Sequence, residues 1–515
     1  MPTVNWVALL VFGALFGFIT WLGFAAAQWR KGDLDQLHEW GLGGRRFGTI
    51  VTWFLVGGDL YTAYTFIAVP ALAFGAGAVA FFAVPYTVII YPVLFLAFRR
   101  LWHVCHKHGY ITAGDFVRGR FDNRWLALAV TVTGIVATMP YIALQLVGIQ
   151  VVVGALGISG TGWIGDLPLL IAFVVLAAFT YSSGLRAPAS IAIVKDVLIY
   201  VTALAAIVVI PAQLGGFAKI FAAVPAKKLL LAVPGAHTTG AYGSYATLAL
   251  GSALALFLYP HSLTAILSSS SGRAIRRNAA MLPAYSFVLG LLALLGFFVI
   301  AAGVDKLHEY AAGFKQFGNN FAVPALLLHS FPAWFVGIAF AAIGIGALVP
   351  AAIMSIAAAN LYTRNIHREF INKNPSDREE AQMAKWVSLI VKAGALVFIL
   401  FVPTEYAIQL QLLGGIWIIQ TLPSVMLGAY TRWFNPWALL IGWGVGTVAG
   451  TTMAIATKLT PAFPLAIAGF TIPAYTAVYT VILNLAVAAL LTPVFERLGP
   501  RRATRDATVA GDYHA

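Results

Sequence analysis

Long apolar blocks separated by short polar segments run along almost the whole chain. Most blocks hold roughly 18 to 28 residues, enough for one helix to cross the ~30 Å hydrocarbon core of a bilayer. Because backbone N–H and C=O groups inside lipid need internal partners, such blocks predict helices. We therefore predict an all-α integral membrane protein with about thirteen transmembrane helices, at 5–27, 48–75, 77–98, 125–156, 167–183, 189–212, 243–268, 279–303, 334–360, 386–403, 406–429, 435–457 and 473–495.

The polar segments between the blocks are too short to form a soluble domain. We expect one transmembrane domain over 1–495, followed by a cytoplasmic tail at 496–515 that is rich in charge and therefore disordered. Charged residues make up only 10% of the chain, against about 25% in soluble domains. The single cysteine, Cys105, excludes an intrachain disulfide.

The basic residues are concentrated in every second polar segment. Lys and Arg favour cytoplasmic loops, and an external N-terminus puts 26 of the 32 in cytoplasmic segments, with Lys195 and Lys392 counted among them. The remaining six are Lys219, Lys227, Lys228, Lys306, Lys315 and Lys458. Because the basic residues are divided in this way, we explain the net charge of +14 by membrane topology rather than by nucleic-acid binding. This distribution predicts a multi-pass protein of the bacterial cytoplasmic membrane, with its C-terminus inside.

Two blocks carry helix-breaking residues near their centres. The block 48–75 contains Gly57-Gly58-Asp59, and the block 243–268 contains Tyr259-Pro260-His261. Secondary transporters often bind their solute where helices are interrupted at matching positions of two inverted repeats. These blocks lie five apart, as two inverted repeats of five helices require. Without a catalytic motif such as His-Glu-x-x-His, the sequence favours a transporter over an enzyme.

Asp59 and His261 are the most informative polar residues in these blocks. A carboxylate in an apolar span is costly unless it faces a wet cavity or a partner, and the preceding glycines would let carbonyls turn toward a cation. Alternatively, the helix starts later and Asp59 lies near an interface. His261 is either a proton carrier or solute donor, or a hydrogen-bonded histidine at the cytoplasmic end of its span.

Other spans carry polar residues whose role the sequence leaves open. Tyr141 and Gln145 lie four apart, on one face of a helix, and Trp417 and Gln420 occupy the block 406–429. Such side chains either line a polar cavity or bond neighbouring helices.

Several segments resemble the sodium/solute symporter family. They are Tyr181-Ser182-Ser183-Gly184-Leu185-Arg186-Ala187 followed by Lys195-Asp196, Pro260-His261 with Arg276-Arg277-Asn278, and Ala352-Ile353-Met354-Ser355. The first segment departs from the family, which has paired glycines and a later Thr-Asp. The resemblance implies a LeuT-like core of five plus five helices, about 48–212 and 243–429, with one helix before it and two after it.

Within that family the chain looks closest to bacterial monocarboxylate permeases, through 342–355 and 411–418. This implies a symporter that imports a lactate- or pyruvate-like acid with Na⁺ or H⁺. Other members carry proline, pantothenate, acetate or sugars, and a channel is a weaker alternative. We expect no cofactor beyond the coupling ion, no nucleic acid and no obligate protein partner, only the small carboxylate and the lipid bilayer.

The resemblance also implies an ion site. Its ligands would be main-chain carbonyls of Gly57, Leu60 and Ala352 and the hydroxyl of Ser355, with Asp59 nearby. Ile356 stands where the family usually has a second hydroxyl, and a butyl side chain offers no oxygen to a hard cation. Either sodium binds weakly with Asp59 compensating, or Asp59 carries a proton. The solute would bind among Tyr61, Thr62, Tyr141, Gln145, His261, Trp417 and Gln420.

Overall fold

The computed structural model describes residues 4–29, 32–59, 61–158, 163–401, 407–498 and 506–514. Most of these residues are helical. The first half of the chain contains helices α1 Trp6–Ala25, α2 Leu37–Leu42, α3 Thr49–Gly57, α4 Val69–Ala76, α5 Ala83–Val93, α6 Arg99–His108, α7 Ala113–Phe121, α8 Arg124–Ala155, α9 Trp163–Ser183, α10 Arg186–Leu214, α11 Phe217–Ala223 and α12 Ala226–Leu229. The second half contains α13 Gly240–Leu256, α14 Pro260–Leu267, α15 Gly272–Met281, α16 Pro283–Ala302, α17 Ala311–Phe317, α18 Ala322–Ser330, α19 Ala333–Tyr362, α20 Asp377–Phe401, α21 Ala407–Ile418, α22 Leu422–Val425, α23 Pro436–Ala456 and α24 Thr476–Leu498.

Many of these helices are suited to a bilayer. Among the described residues, nine helices are long and apolar enough to cross a membrane, or ten if the bent pair α13–α14 is one span. One of the nine, the run Tyr64–His108, has 45 residues and would be about 70 Å long if straight, enough for two crossings. Gly77 interrupts it with a φ of +76°. Each predicted block contains a helix, while the number of thirteen crossings stays a prediction.

The prediction of an all-α chain is wrong between α23 and α24. There β1 (Ala462–Ile467) pairs antiparallel with β2 (Phe470–Tyr475). The connecting residues Ala468 and Gly469 have φ values of +49° and +79°. Two left-handed residues in a row make the tight turn whose twist matches that of paired strands. The start of the predicted block 473–495 therefore belongs to a hairpin.

Helix α19 forms the centre of the bundle. In its most apolar stretch, 94% of the residues are buried, and it contacts α1, α8, α10, α14 and α20. Small residues allow such close packing between membrane helices. At Gly337, a Cβ atom would lie 2.6 Å from the carbonyl oxygen of Ala8 on α1.

Contacts between polar segments agree with the predicted sides of the membrane. Ser270 N–H donates to Phe47 O at 2.8 Å, and both residues lie in segments predicted to be cytoplasmic. Thr239 N–H donates to Thr471 O at 3.2 Å, and both lie in segments predicted to be external. These contacts show which segments share a side, and the absolute orientation stays a prediction.

The described part of the tail packs on the 99–124 segment instead of being disordered as predicted. Lys107 Nζ lies 2.5 Å from Asp512 Oδ1, and His108 Nε2 lies 2.7 Å from Asp512 Oδ2. Asp506 pairs with Arg120, and Tyr513 is only 5% exposed. The Lys107 hydrogen bond holds the pKa of Asp512 well below its usual range, so the carboxylate stays charged at physiological pH. Residues 499–505 and Ala515 lie outside the described residues.

Candidate functional site

The first predicted helix interruption is confirmed between α3 and α4. Helix α3 ends at Gly57, and helical structure resumes as a π-helical turn at Tyr64–Ala68. At Gly58 a Cβ atom would lie 2.2 Å from the carbonyl oxygen of Phe54. The main chain approaches that oxygen too closely for any side chain, so glycine is required there. Leu60, a predicted ion ligand, lies outside the described residues.

The second predicted interruption is confirmed between α13 and α14, which meet at a bend of 49°. Pro260 begins α14 and has no N–H to continue the preceding helix. The two interruptions touch each other. Ser262 Oγ donates to Asp59 Oδ2 at 2.5 Å, and His261 Nε2 lies 3.4 Å from Asp59 Oδ1. Corresponding breaks in two blocks therefore form one site.

Asp59 and His261 are both buried within the protein. Asp59 is 3% exposed and His261 0%, while the depth of Asp59 in the membrane stays a prediction. Neither ring nitrogen of His261 has a hydrogen-bond partner in the described part of the chain, although Nε2 lies at ion-pair distance from Asp59 Oδ1. The alternatives for His261, a proton carrier, a solute donor or a hydrogen-bonded histidine, therefore stay predictions.

Helix α8 closes this site with an aromatic ring and an amide. The Tyr141 ring centroid lies 5.2 Å from that of His261. Gln145 Oε1 accepts from the N–H of Ala63 at 3.2 Å, while its Nε2 donates to Tyr141 O at 3.3 Å. Thr62 Oγ1 accepts from the N–H of Tyr64 at 3.0 Å. The structure thus brings Thr62, Tyr141, Gln145 and His261 together, as predicted for the solute site.

Tyr61 lies at the break but faces α10 and α16. Its hydroxyl donates to Tyr285 O at 3.3 Å. On the same side, Lys195 Nζ donates to the carbonyl oxygens of Gly58 at 2.5 Å and Tyr61 at 3.0 Å. Lys195 Nζ also lies 3.0 Å from Asp196 Oδ1, and Asp196 Oδ2 accepts from Tyr285 Oη at 2.5 Å.

The charge count missed the role of Lys195. It assigned Lys195 to a cytoplasmic segment, yet Lys195 and Asp196 lie inside α10 with 0% exposure. Lys392 was placed at a helix edge and is instead 1% exposed within α20. The usable signal was the charge itself, because an ionisable residue inside an apolar span points to a functional partner.

Trp417 and Gln420 differ from the predicted grouping. Trp417 Nε1 donates to Thr451 Oγ1 on α23 at 3.1 Å. Gln420 Nε2 donates to Thr480 Oγ1 on α24 at 2.8 Å. These contacts tie both side chains to the last two helices and not to the break. The sequence could not show which face of the block 406–429 points inward.

The predicted ion ligands on α19 are held by hydrogen bonds of their own. Ser355 Oγ donates to Ala352 O at 2.8 Å and accepts from Ser388 Oγ at 3.2 Å. Lys392 Nζ donates to Ser388 Oγ at 2.7 Å. Ile356 is fully buried and supplies no oxygen.

A small cavity lies between the break at Pro260 and the 99–124 segment. Its volume is about 10 Å³, room for about one water molecule. Its walls include Thr112, Val130, Gly134, Pro260, Leu263, Ala357, Leu361 and Ile418.

Comparison with known proteins agrees with this geometry. The sequence profile described as "Sodium:solute symporter family" matches residues 40–446. The chain belongs to this family. Family membership and the apolar helices make it a multi-pass membrane protein of a transporter family.

Its curated relatives cover most of the chain. A "Monocarboxylate transport permease protein" of Rhizobium johnstonii is 50% identical over 97% of this chain and 99% of its own length. The "Uncharacterized symporter YodF" of Bacillus subtilis is 33% identical over 85% of this chain and 86% of its own length.

A solved symporter structure shares the fold. The substrate-bound, outward-open structure of a Na⁺-coupled sialic acid symporter aligns with a TM-score of 0.74. It covers 95% of this chain and 98% of its own, at 14% identity. At that identity the likeness establishes the helical symporter fold and nothing about the solute.

Proposed function

We propose that this symporter imports a small monocarboxylate, such as lactate or pyruvate, with a cation gradient. The observation that carries the proposal is the contact between two broken helices, where buried Asp59 lies 3.4 Å from His261. Within the part of the chain that the structure describes, the ring nitrogens of His261 have no hydrogen-bond partner. The name of the 50%-identical relative supports the solute class.

The charges of the site explain why solute and cation should move together. A carboxylate solute accepting a hydrogen bond from His261 would lie beside Asp59, and two carboxylates in a buried site repel strongly. A cation at the break relieves that repulsion, whether it is Na⁺ or a proton on Asp59. Solute binding then favours cation binding and the reverse, which is the reciprocity that a symporter needs.

The walls of the site favour a small acid. Tyr141, Tyr259 and His261 pack against one another with ring centroids 5.2–5.4 Å apart. Few polar groups and apolar walls fix a small ligand while excluding water. Proline, pantothenate and acetate remain competing solutes to be measured alongside lactate and pyruvate.

The topology is part of the proposal. We propose thirteen crossings, with inverted repeats at about 48–212 and 243–429, in a bacterial cytoplasmic membrane. The N-terminus would be outside and the C-terminus in the cytoplasm. A reporter that works only in the cytoplasm, fused after Ala515, should be active. Activity of a periplasmic reporter at the same position would overturn this orientation.

The test of function is uptake of radiolabelled lactate and pyruvate by proteoliposomes that contain the full chain. We expect saturable uptake, and unlabelled acid inside the vesicles should accelerate entry of the labelled acid. Vesicles without protein are the control, because neutral lactic acid crosses lipid unaided. Flux that neither saturates nor shows counterflow would favour the channel alternative.

A further inference from the structure

The break between α3 and α4, where an ion site is predicted, already contains a positive group of the protein. We propose that the ammonium group of Lys195 is a built-in substitute for a sodium ion there, so that this protein works without Na⁺. The proposal rests on the proposed symport function and narrows its coupling ion.

The hydrogen bonds of Lys195 carry this proposal. An ammonium group has three donors, and Lys195 Nζ has three oxygen neighbours at 2.5–3.0 Å. They are the carbonyls of Gly58 and Tyr61 and the carboxylate of Asp196. Carbonyl and carboxylate oxygens are also the ligands of a hard cation. The side chain is fully buried, so water does not compete for these oxygens.

The surroundings of Lys195 leave little reason to bind a second cation. Asp196 balances its charge and is itself fixed by the Tyr285 hydroxyl. The two carbonyls that Lys195 binds each come one residue after a predicted ion ligand, Gly57 or Leu60. A sodium ion at this break would therefore compete with a neighbouring ammonium group, and two like charges close together in a buried site repel. The neighbouring ionisable side chains on this face are Asp196, Tyr61, Tyr200 and Tyr285.

The predicted sodium ligands on α19 also fit a site that binds no sodium ion. Ser355 shares its hydroxyl with Ala352 and Ser388, and Ile356 supplies no oxygen. A second hydroxyl ligand at position 356 is not needed if this site binds no sodium ion. The remaining driving ion is the proton.

The first experiment uses the native protein and needs no solute. In detergent, exchanging choline chloride for NaCl at constant ionic strength should leave the thermal unfolding temperature unchanged, because a ligand raises it only by binding the folded state. A rise on the order of 1–3 °C or more with Na⁺ would overturn the proposal.

The second experiment removes the built-in charge. Lys195→Ser should lower the unfolding temperature in choline, and Na⁺ should restore part of it, since a hydroxyl and three freed oxygens can hold the ion. Lys195→Arg keeps a permanent charge, so its unfolding temperature should not change when Na⁺ replaces choline. Lys392→Ser is the matched control, a second buried lysine that bonds a hydroxyl, and Na⁺ should not rescue it. Equal Na⁺ responses in the two serine variants would overturn the proposal.

The third experiment measures transport of labelled lactate by the native protein. An inside-alkaline gradient of about one pH unit without Na⁺ should drive lactate toward about a tenfold inside-to-outside ratio at one proton per solute. Because neutral lactic acid approaches the same ratio unaided, the expected effect of the protein is a saturable initial rate well above that of protein-free vesicles. Loss of that saturable rate on replacing Na⁺ by choline would overturn the proposal. Absence of any lactate or pyruvate counterflow would instead overturn the proposed function, and the unfolding measurements would still decide the role of Lys195.

Discussion

The two broken helices differ in what satisfies the backbone at each interruption. Between α13 and α14 the break is three residues long and is bridged locally, since Leu258 N–H donates to Ala255 O at 3.1 Å. The break between α3 and α4 has a local bond of the same kind, from Tyr61 N–H to Gly58 O at 3.2 Å, and in addition side chains from other helices bond its backbone. Lys195 of α10 holds two carbonyls, and Gln145 of α8 holds the N–H of Ala63.

From this difference we infer that the two breaks have different functions. The bend at Pro260 places His261 and Ser262 beside Asp59. The break between α3 and α4 is bonded by side chains of α8 and α10, so we expect movements of these helices to reach the proposed solute site. The first break is therefore the part that should respond to the coupling ion, and the second should mainly fix geometry.

The largest expected effect is at Asp59. Asp59→Asn keeps the size of the side chain but removes the charge that couples solute to cation. Accumulation of lactate should fall by up to about tenfold in a tenfold cation gradient, while counterflow in the same vesicles persists. Asp305→Asn, on a partly exposed segment, is the control. Native accumulation in Asp59→Asn would show that this carboxylate is not needed for coupling.

A steric change at the first break should come next. Gly58→Ala places a Cβ 2.2 Å from Phe54 O and 2.8 Å from Lys195 Nζ. Such overpacking costs about 1–3 kcal/mol and should lower the thermal unfolding temperature. Gly290→Ala is the matched helix control, since its Cβ would meet Val84 at an ordinary 3.4 Å. If both variants unfold alike, the close approach at Gly58 is not a constraint.

Substitutions of Gln145 and Gln420 should differ in their effect on the KM for lactate, by a smaller amount than the changes above. Gln145→Ala leaves the Ala63 N–H of the break without its partner, a loss of about 1–3 kcal/mol, and should raise the KM for lactate severalfold. Gln420→Ala loses bonds to α24 instead and should lower stability with little change in KM. The kinetics of both variants in proteoliposomes would show whether the block 406–429 contributes to the proposed solute site. A larger KM effect at Gln420 would restore the grouping predicted from sequence.

Ile356→Thr should have the smallest effect. The substitution adds a hydroxyl to α19. Because Lys195 remains in place, we expect the ratio of lactate uptake in Na⁺ to uptake in choline to change by less than about twofold. Combined with Lys195→Ser, the same change should strengthen Na⁺ rescue of the unfolding temperature. Na⁺ dependence appearing in Ile356→Thr alone would mean that the lost hydroxyl, and not the lysine, decides the ion.

The sequence predicted features that arise from apolar length and from helix-breaking residues. Helices occupy every predicted block, and Gly57-Gly58 and Pro260 marked the breaks, because these residues act on their own backbone. Partners across the bundle could not be predicted in the same way. The inward face of α21 depends on how it packs, so Trp417 and Gln420 were grouped with the wrong helices. Lys195 was counted as a topology charge although it lies inside the predicted block 189–212, and that position was the signal for a buried charge.

The packing of the tail on the 99–124 segment sets an order of events during synthesis. Lys107 and Asp512 are 405 positions apart, so at roughly 5–20 residues per second the acid emerges about 20–80 s after its basic partner. For that interval the basic surface of α6 and α7 has no such partner and can meet acidic lipid head groups or other proteins. Truncation before Asp506, or a bulky fusion that pulls the tail away, would make the interval permanent.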